Sequence, residues 1–208
     1  MKPKREHATN NAQTYMTTAV TEHRIYHFRP VRWCQLFIGV LYKYRDAGSY
    51  ALHEFVVMRD HVHILLSPTI ALESAMKLIK GEFSYEAGVR FRHKGPLPQP
   101  GFADERVRTP EQYASFVEYI HHNPVRARIV QRPEQFPFSS AYPGFALDPA
   151  PERLRLKTLA DLQLGINGTT EAVSSQSKDS QADETEFAQN ADSLTASEHL
   201  FTVKKVGV

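Results

Sequence analysis

Residues 58–68 read Met58-Arg59-Asp60-His61-Val62-His63-Ile64-Leu65-Leu66-Ser67-Pro68, a short polar corner followed by a nearly continuous apolar run. The pattern predicts a strand that leaves a hairpin turn at Arg59-Asp60 and stops at Pro68. Side chains alternate across a strand, so His61, His63 and Leu65 share one face. Val62, Ile64 and Leu66 take the other face and enter a core. Two imidazoles at alternate positions of a rigid strand can hold one metal ion if further ligands come from elsewhere. Taken alone, His-x-His is also compatible with a pair of strand histidines that bind nothing.

Working outward, Tyr50 to Met58 is rich in β-formers and predicts the hairpin's first strand, with His53 as a structural residue on it. Asp60 suits a turn, and it can also polarise a histidine from behind. Before this hairpin, Trp33, Phe37, Val40, Leu41 and Tyr44 recur at helical spacing and predict a helix over Val31–Ala47 that Gly48 ends. Thr14 to Val20 predicts an earlier strand. Glu22 to Arg29 reads as a loop carrying His23, Arg24, His27 and Arg29, positive enough to touch phosphate. After the hairpin, Leu72, Met76, Ile79 and Phe83 outline a helix over Leu72–Phe91, with Lys77 and Lys80 off that stripe. A Pro- and Gly-broken basic loop and a short edge strand from Phe102 to Arg108 follow. Thr109-Pro110-Glu111-Gln112 then opens a third helix: threonine at the N-cap, proline at the first helical position, glutamine at the third. Phe116 and Ile120 face inward, Tyr119 lies about 100° round from Ile120, and Asn123 is one turn beyond Tyr119. Asn123-Pro124 predicts the end of the helix or a bend in it.

The 208 residues, 41% of them hydrophobic, suffice for one domain with a real core. No apolar run approaches the ~20 residues of a membrane span, and no apolar segment follows Met1-Lys2-Pro3-Lys4-Arg5, so neither a span nor a signal peptide is expected. The single cysteine, Cys34, reads as a small core residue in a protein without internal disulfides, in keeping with a cytoplasmic, nucleoid-associated location. The net charge of +2 is unevenly spread. Residues 166–208 hold three Lys or Arg and seven Asp or Glu, which leaves 22 basic and 16 acidic residues before them. That basic excess suits a nucleic-acid partner. The expected organisation is a flexible basic arm over 1–12, a domain over 13–146, a connecting segment over 147–165 and a disordered acidic tail over 166–208.

The stretches FVVMRDHVHILLSP, MKLIKG, YIHHNPVRARIV and FPFSSAY resemble, in order and spacing, the HUH-type single-tyrosine transposases, most of all the REP-associated tyrosine transposases. The likeness runs from about Thr14 to Tyr142. It implies an α+β, ferredoxin-like antiparallel sheet of four or five strands, with two helices on one face and a metal and tyrosine site on the other. It implies metal ligation by His61 and His63, with Asn123 as third ligand, and a nucleophilic Tyr119. Mg²⁺ or Mn²⁺ is the family's metal, although two imidazoles by themselves suit Zn²⁺ equally. Implied partners are single-stranded or hairpin DNA, contacted by candidates Lys77, Lys80, Arg126, Arg128 and Arg132, and either a homodimer or a monomer. The chain departs from the family where a tryptophan-glutamine pair gives way to Leu97-Pro98-Gln99-Pro100-Gly101-Phe102, and where Tyr15 is followed by Met16-Thr17-Thr18. Both departures bear on DNA specificity more than on chemistry. His121 and His122 neighbour the tyrosine, either to move protons or as plain surface imidazoles, and Ser139-Ser140 has no evident chemical role. Three classes of function stay open: a single-stranded DNA nuclease and strand transferase, a hairpin-binding protein without catalysis, and a small-molecule metalloenzyme sharing only His-x-His.

Overall fold

The computed structural model describes residues 13–156 with the exception of Pro96, so the basic arm and the acidic tail expected from the sequence lie outside the described residues. The described part is an antiparallel sheet of β1 (Thr14–Val20), β2 (Tyr50–Val57), β3 (His61–Pro68) and β4 (Ala103–Val107), in the order β2-β3-β1-β4. Helices α1 (Val31–Asp46) and α2 (Leu72–Phe91) cover one face, and α3 (Pro110–Arg126) packs on β2 and β3 from the other. This is the ferredoxin-like α+β architecture that the sequence leads one to expect, with four strands. Among the described residues, no helix is long and apolar enough to cross a membrane.

The alternation of β3 divides the molecule into two cores. Val62, Ile64 and Leu66 join Leu41, Ile79 and Phe83 beneath α1 and α2, whereas Leu65 joins Met16, Val56 and Ile120 beneath α3. Each aliphatic side chain so enclosed stabilises the fold by roughly 1.5–3 kcal/mol relative to exposure. Every apolar position of β3 therefore has a home, which pins its register.

Strand β2 is irregular at one point. Leu52 pairs with Leu66 and Glu54 with Leu65, so His53 is the extra residue of a β-bulge. The bulge shifts the parity of the strand. Tyr50 and Leu52 face the large core before it, and Phe55 and Val57 face the same core after it. Glu54 is thereby turned to the α3 side instead of into the core. His53 stays neutral under burial: Nδ1–H donates to the Asp148 carbonyl (3.1 Å) and Nε2 accepts from Ser67 Oγ (2.8 Å).

Residues 147–156, expected as a connector, are held to this body. The Asp148 carboxylate accepts from Arg45 (2.8 Å) and from the Leu52 amide (2.7 Å), and Leu154 is buried in the core under α3. Ser139-Ser140 also acquires a role. Val57 N donates to Phe138 O, Ser140 N donates to Phe55 O, and Ser140 Oγ accepts from Phe55 N, so this segment covers the outer edge of β2.

The third helix begins as expected: Thr109 Oγ1 accepts from Gln112 N at 3.2 Å. Gln112 Oε1 accepts from Arg108 N rather than from the cap residue itself, a box shifted by one position. Of the two outcomes expected at Asn123-Pro124, an end or a bend, the end is corrected, since α3 carries Pro124 inside it and runs on to Arg126. So near a C-terminus the proline removes only one helical hydrogen bond. Termination comes from Arg128 in a left-handed conformation (φ 56°), with Arg128 N donating to Val125 O and Ile129 N to Pro124 O.

Candidate active site

The site is built on the β2–β3 turn. Met58 N donates to His61 O (2.8 Å), closing a two-residue hairpin loop at Arg59-Asp60. That turn sets Asp60 beside His61, and His61 Nδ1–H donates to Asp60 Oδ1 at 2.6 Å. A carboxylate can only accept, so the proton is fixed on Nδ1 and the Nε2 lone pair of His61 is left for a ligand. Arg24 Nη1 donates to Asp60 Oδ2 at 3.0 Å. Burial works to raise the Asp60 carboxyl, but its hydrogen bonds to His61 and Arg24 prevail and hold it below the usual carboxylate range. Asp60 is thus both a turn residue and the group that orients His61.

His63 sits one pleat further along, its ring centroid 4.8 Å from that of His61. Thr18 lies directly across on β1 in the sheet register, and its hydroxyl is 2.8 Å from His63 Nδ1. The other nitrogen, Nε2, is buried with no hydrogen-bond partner among the described residues. Leaving such an atom unsatisfied costs about 1–3 kcal/mol, which makes it the strongest local sign of a ligand position. Burial, with His61 alongside adding to it, pushes His63 down to about 3, so the imidazole is neutral at pH 7, as ligation of a cation requires.

The phenol comes from α3. Ile120 is fully buried, and Tyr113, Phe116 and Val117 pack against the same core, so this stripe docks the helix. Tyr119 projects from its flank, 39% exposed, with its ring edge-to-face on His63 at 5.2 Å between centroids. The Arg126 guanidinium also lies against this ring, 5.1 Å from the Tyr119 centroid. Asn123 is half-buried one turn beyond Tyr119 on the same side of the helix. By chemistry, two imidazole nitrogens and an amide oxygen are donors that would suit a divalent cation.

The other candidates divide. Lys77 and Lys80 belong to α2, across the sheet from Tyr119. Lys80, a candidate phosphate contact, donates to the Gln99 and Gly101 carbonyls (2.5 and 2.7 Å), and burial lowers its affinity for a proton. It fastens the loop that departs from the family pattern. Arg128 and Arg132 are exposed beyond α3, Arg132 beside Glu134 at 3.4 Å. His121, one candidate for proton movement, is committed elsewhere: Nε2–H donates to Glu54 Oε2 (2.8 Å), which also accepts from Ser140 Oγ (2.5 Å). His122 donates Nδ1–H to Glu118 O (3.1 Å), leaving its Nε2 as an acceptor. Sequence reasoning missed Thr18, Arg24 and Glu54. Thr18 follows from strand register, Arg24 from the turn of its loop onto Asp60, and Glu54 from the bulge.

Comparison with known proteins bears on the family and the fold. The family model described as transposase IS200 like matches residues 11–123, more than half of the chain. A REP-associated tyrosine transposase of Escherichia coli K12 is 24% identical over 109 residues, a match covering 51% of this chain and 63% of the relative's length. A solved structure of a REP-associated tyrosine transposase bound to a REP hairpin superposes with a TM-score of 0.59 at 20% identity, covering 76% of this chain and 99% of that one. The fold is therefore shared with that transposase, and the matched span, with His61, His63, Tyr119 and Asn123 all inside it, shows that the chain belongs to the IS200-like transposase family.

Proposed function

We propose that the chain is a metal-dependent single-stranded DNA endonuclease and strand transferase that works through a covalent phosphotyrosine, on DNA that folds into hairpins. The observation that carries this reading is the exposed Tyr119 phenol packed on a histidine whose buried Nε2 lacks a partner among the described residues. Hairpin DNA enters because a protein of the same fold was solved with one.

A phenol with an unperturbed pKa near ~10 is about one part in a thousand ionised at pH 7, so its attack on a phosphodiester needs help. His61, His63 and Asn123 would hold the divalent ion, Mg²⁺ or Mn²⁺. When bound there, the ion supplies charge neutralisation to a non-bridging phosphate oxygen. The chain's own residues do the rest. Asp60 and Thr18 fix the two imidazoles, α3 presents Tyr119 Oη, and the Arg126 guanidinium adds positive charge beside it. In-line attack by Oη forms the Tyr–O–P bond and breaks the P–O3′ bond. The phenol's proton is lost, the leaving oxygen takes one up as a 3′-OH, and the 5′-phosphate stays on the protein. A 3′-OH from the same or another strand reverses the step, so rejoining needs no nucleotide cofactor. Tyr119 meets His63 of its own chain, which favours a site assembled within one subunit.

The test is incubation of end-labelled hairpin oligonucleotides with the protein, with and without Mg²⁺ or Mn²⁺. A protein–DNA adduct that survives denaturation only when metal is present is the expected result. Binding without cleavage under every metal condition would instead leave a hairpin-binding protein.

A further inference from the structure

The loop between β1 and α1 is tied to the same turn that carries the histidines, yet most of its side chains take no part in orienting them. Thr21 N donates to Asp60 O (2.8 Å) and Phe28 N to Arg59 O (3.1 Å). The Thr21 hydroxyl lies within hydrogen-bonding distance of the Ile25 and Asp60 carbonyls, at 2.7 and 2.9 Å. Between these anchors His23 and Arg24 both have positive φ (50° and 54°), a conformation that non-glycine residues adopt reluctantly and that gathers at functional places. The result of that kink is outward display. Ile25 is 52% and Tyr26 57% exposed, although the next residues, His27 and Phe28, turn in against Trp33 and Phe37.

Two arginines are tied by backbone hydrogen bonds to the stretch that carries the exposed ring. Arg29 N donates to Tyr26 O (3.1 Å), so these residues are the two ends of one tight turn. Arg29 adjoins Phe28, whose amide is bonded to Arg59, and Arg59 is two residues before His61. Both guanidiniums are on exposed residues and neither forms an ion pair among the described residues. Of the nearby carboxylates, Asp60 is held by Arg24 and His61. Glu22 Oε1 lies 3.5 Å from His23 Nε2, while its Oε2 has no hydrogen-bond partner among the described residues. An exposed aromatic ring close in the fold to exposed arginines that form no ion pair among the described residues is the chemistry that receives single-stranded nucleic acid, with the base on the ring and phosphates on the cations.

We infer that Tyr26, Arg29 and Arg59 form a cradle for the single-stranded DNA flanking the cleaved bond, Tyr26 stacking a base while the two arginines hold the adjoining phosphates. The inference rests on the proposed nuclease function and adds to it the surface that leads a strand toward His61. Ile25 supplies apolar contact beside the ring.

The experiment compares binding, in the presence of EDTA to prevent cleavage, of three fluorescent oligonucleotides: a blunt hairpin, and the same hairpin with a 5′ or a 3′ single-stranded flank. Tyr26→Ala should weaken binding of one flanked hairpin about tenfold and leave the blunt hairpin unchanged, while Tyr26→Phe keeps wild-type affinity. The Arg29→Ala, Arg59→Ala double variant should reduce the slope of log affinity against log salt by roughly 0.7 for each phosphate no longer neutralised. Circular dichroism checks that the variants are folded. Equal affinity of wild type and Tyr26→Ala for both flanked hairpins would overturn the cradle while leaving the proposed function standing. Loss of blunt-hairpin binding to the same degree would also overturn it. Failure of the wild type to bind any of the three would remove the proposed function and this inference together.

Discussion

His63 is the most informative single residue of the site. It is 5% exposed, neutral, held at Nδ1 and, among the described residues, without a partner at Nε2. Replacing His61 and His63 together by Ala should therefore abolish measurable divalent binding in calorimetric titration while the melting temperature moves less than for Ile64→Ala. The latter removes buried methyl groups at a cost of ~2–5 kcal/mol. Equal metal affinity in the double variant would make both histidines structural. Asn123→Ala should have a milder effect, because water can take the place of one amide oxygen. Asp60→Ala should weaken metal binding by about 10–100-fold, the usual consequence of releasing the group behind a ligating imidazole. Unchanged affinity would reduce Asp60 to its turn. The His-x-His face is legible in the sequence because strand alternation is a covalent fact of the backbone. Asp60 is legible only as an alternative, since a turn aspartate and an orienting aspartate look alike until the ring nitrogen that faces it is known.

At the scale of elements, the stripe Leu72, Met76, Ile79 and Phe83 and the cap at Thr109 read straight off the chain because short-range spacing determines them. The bulge at His53 does not. Tyr50 to Val57 alternates acceptably in either parity, and only the pairing with Leu65 and Leu66 shows that the parity changes midway. Its consequence, Glu54 facing His121, is equally hidden. The stop of α3 at Arg128 is masked by the stronger local signal of Pro124.

The clip at Asp148 gives a prediction at this scale. Its hydrogen bonds from Arg45, opposed by burial and joined by the Leu52 amide, hold the carboxyl below its usual range. The folded state thus binds a proton there less readily than the unfolded chain. The stabilisation is fully present above the unfolded value near ~3.9 and disappears as pH falls through the lower folded value. Asp148→Asn should lower stability by roughly 1.5–3 kcal/mol at pH 7, as loss of hydrogen bonds to a charged group does. It should also flatten the acid limb of a stability–pH profile in urea. A parallel, merely displaced profile would show that Asp148 is not a source of the acid sensitivity.

For the molecule as a whole, the organising feature is a sheet with different business on its two faces: α1 and α2 seal one, while α3 brings a phenol to the other. Charge adds a second asymmetry. Removing residues 166–208 changes the formal charge from +2 to +6, since that stretch holds three Lys or Arg and seven Asp or Glu. The truncated protein should bind single-stranded DNA more tightly in dilute salt, and the advantage should fade as the Debye length shortens to ~8 Å near 0.15 M. Identical affinities at low salt would leave the acidic stretch without influence on DNA.

The central claim, that Tyr119 is the nucleophile, is tested most directly by locating the covalent bond. Wild-type protein and Tyr119→Phe are each incubated with a 3′-labelled hairpin oligonucleotide and Mn²⁺, denatured, and digested for mass spectrometry. The expected result is a labelled adduct whose peptide carries the 5′-phosphorylated fragment on Tyr119, and no adduct with the phenylalanine variant despite normal folding and DNA binding. Cleavage by Tyr119→Phe at the wild-type rate, or an adduct mapped to another residue, would contradict it.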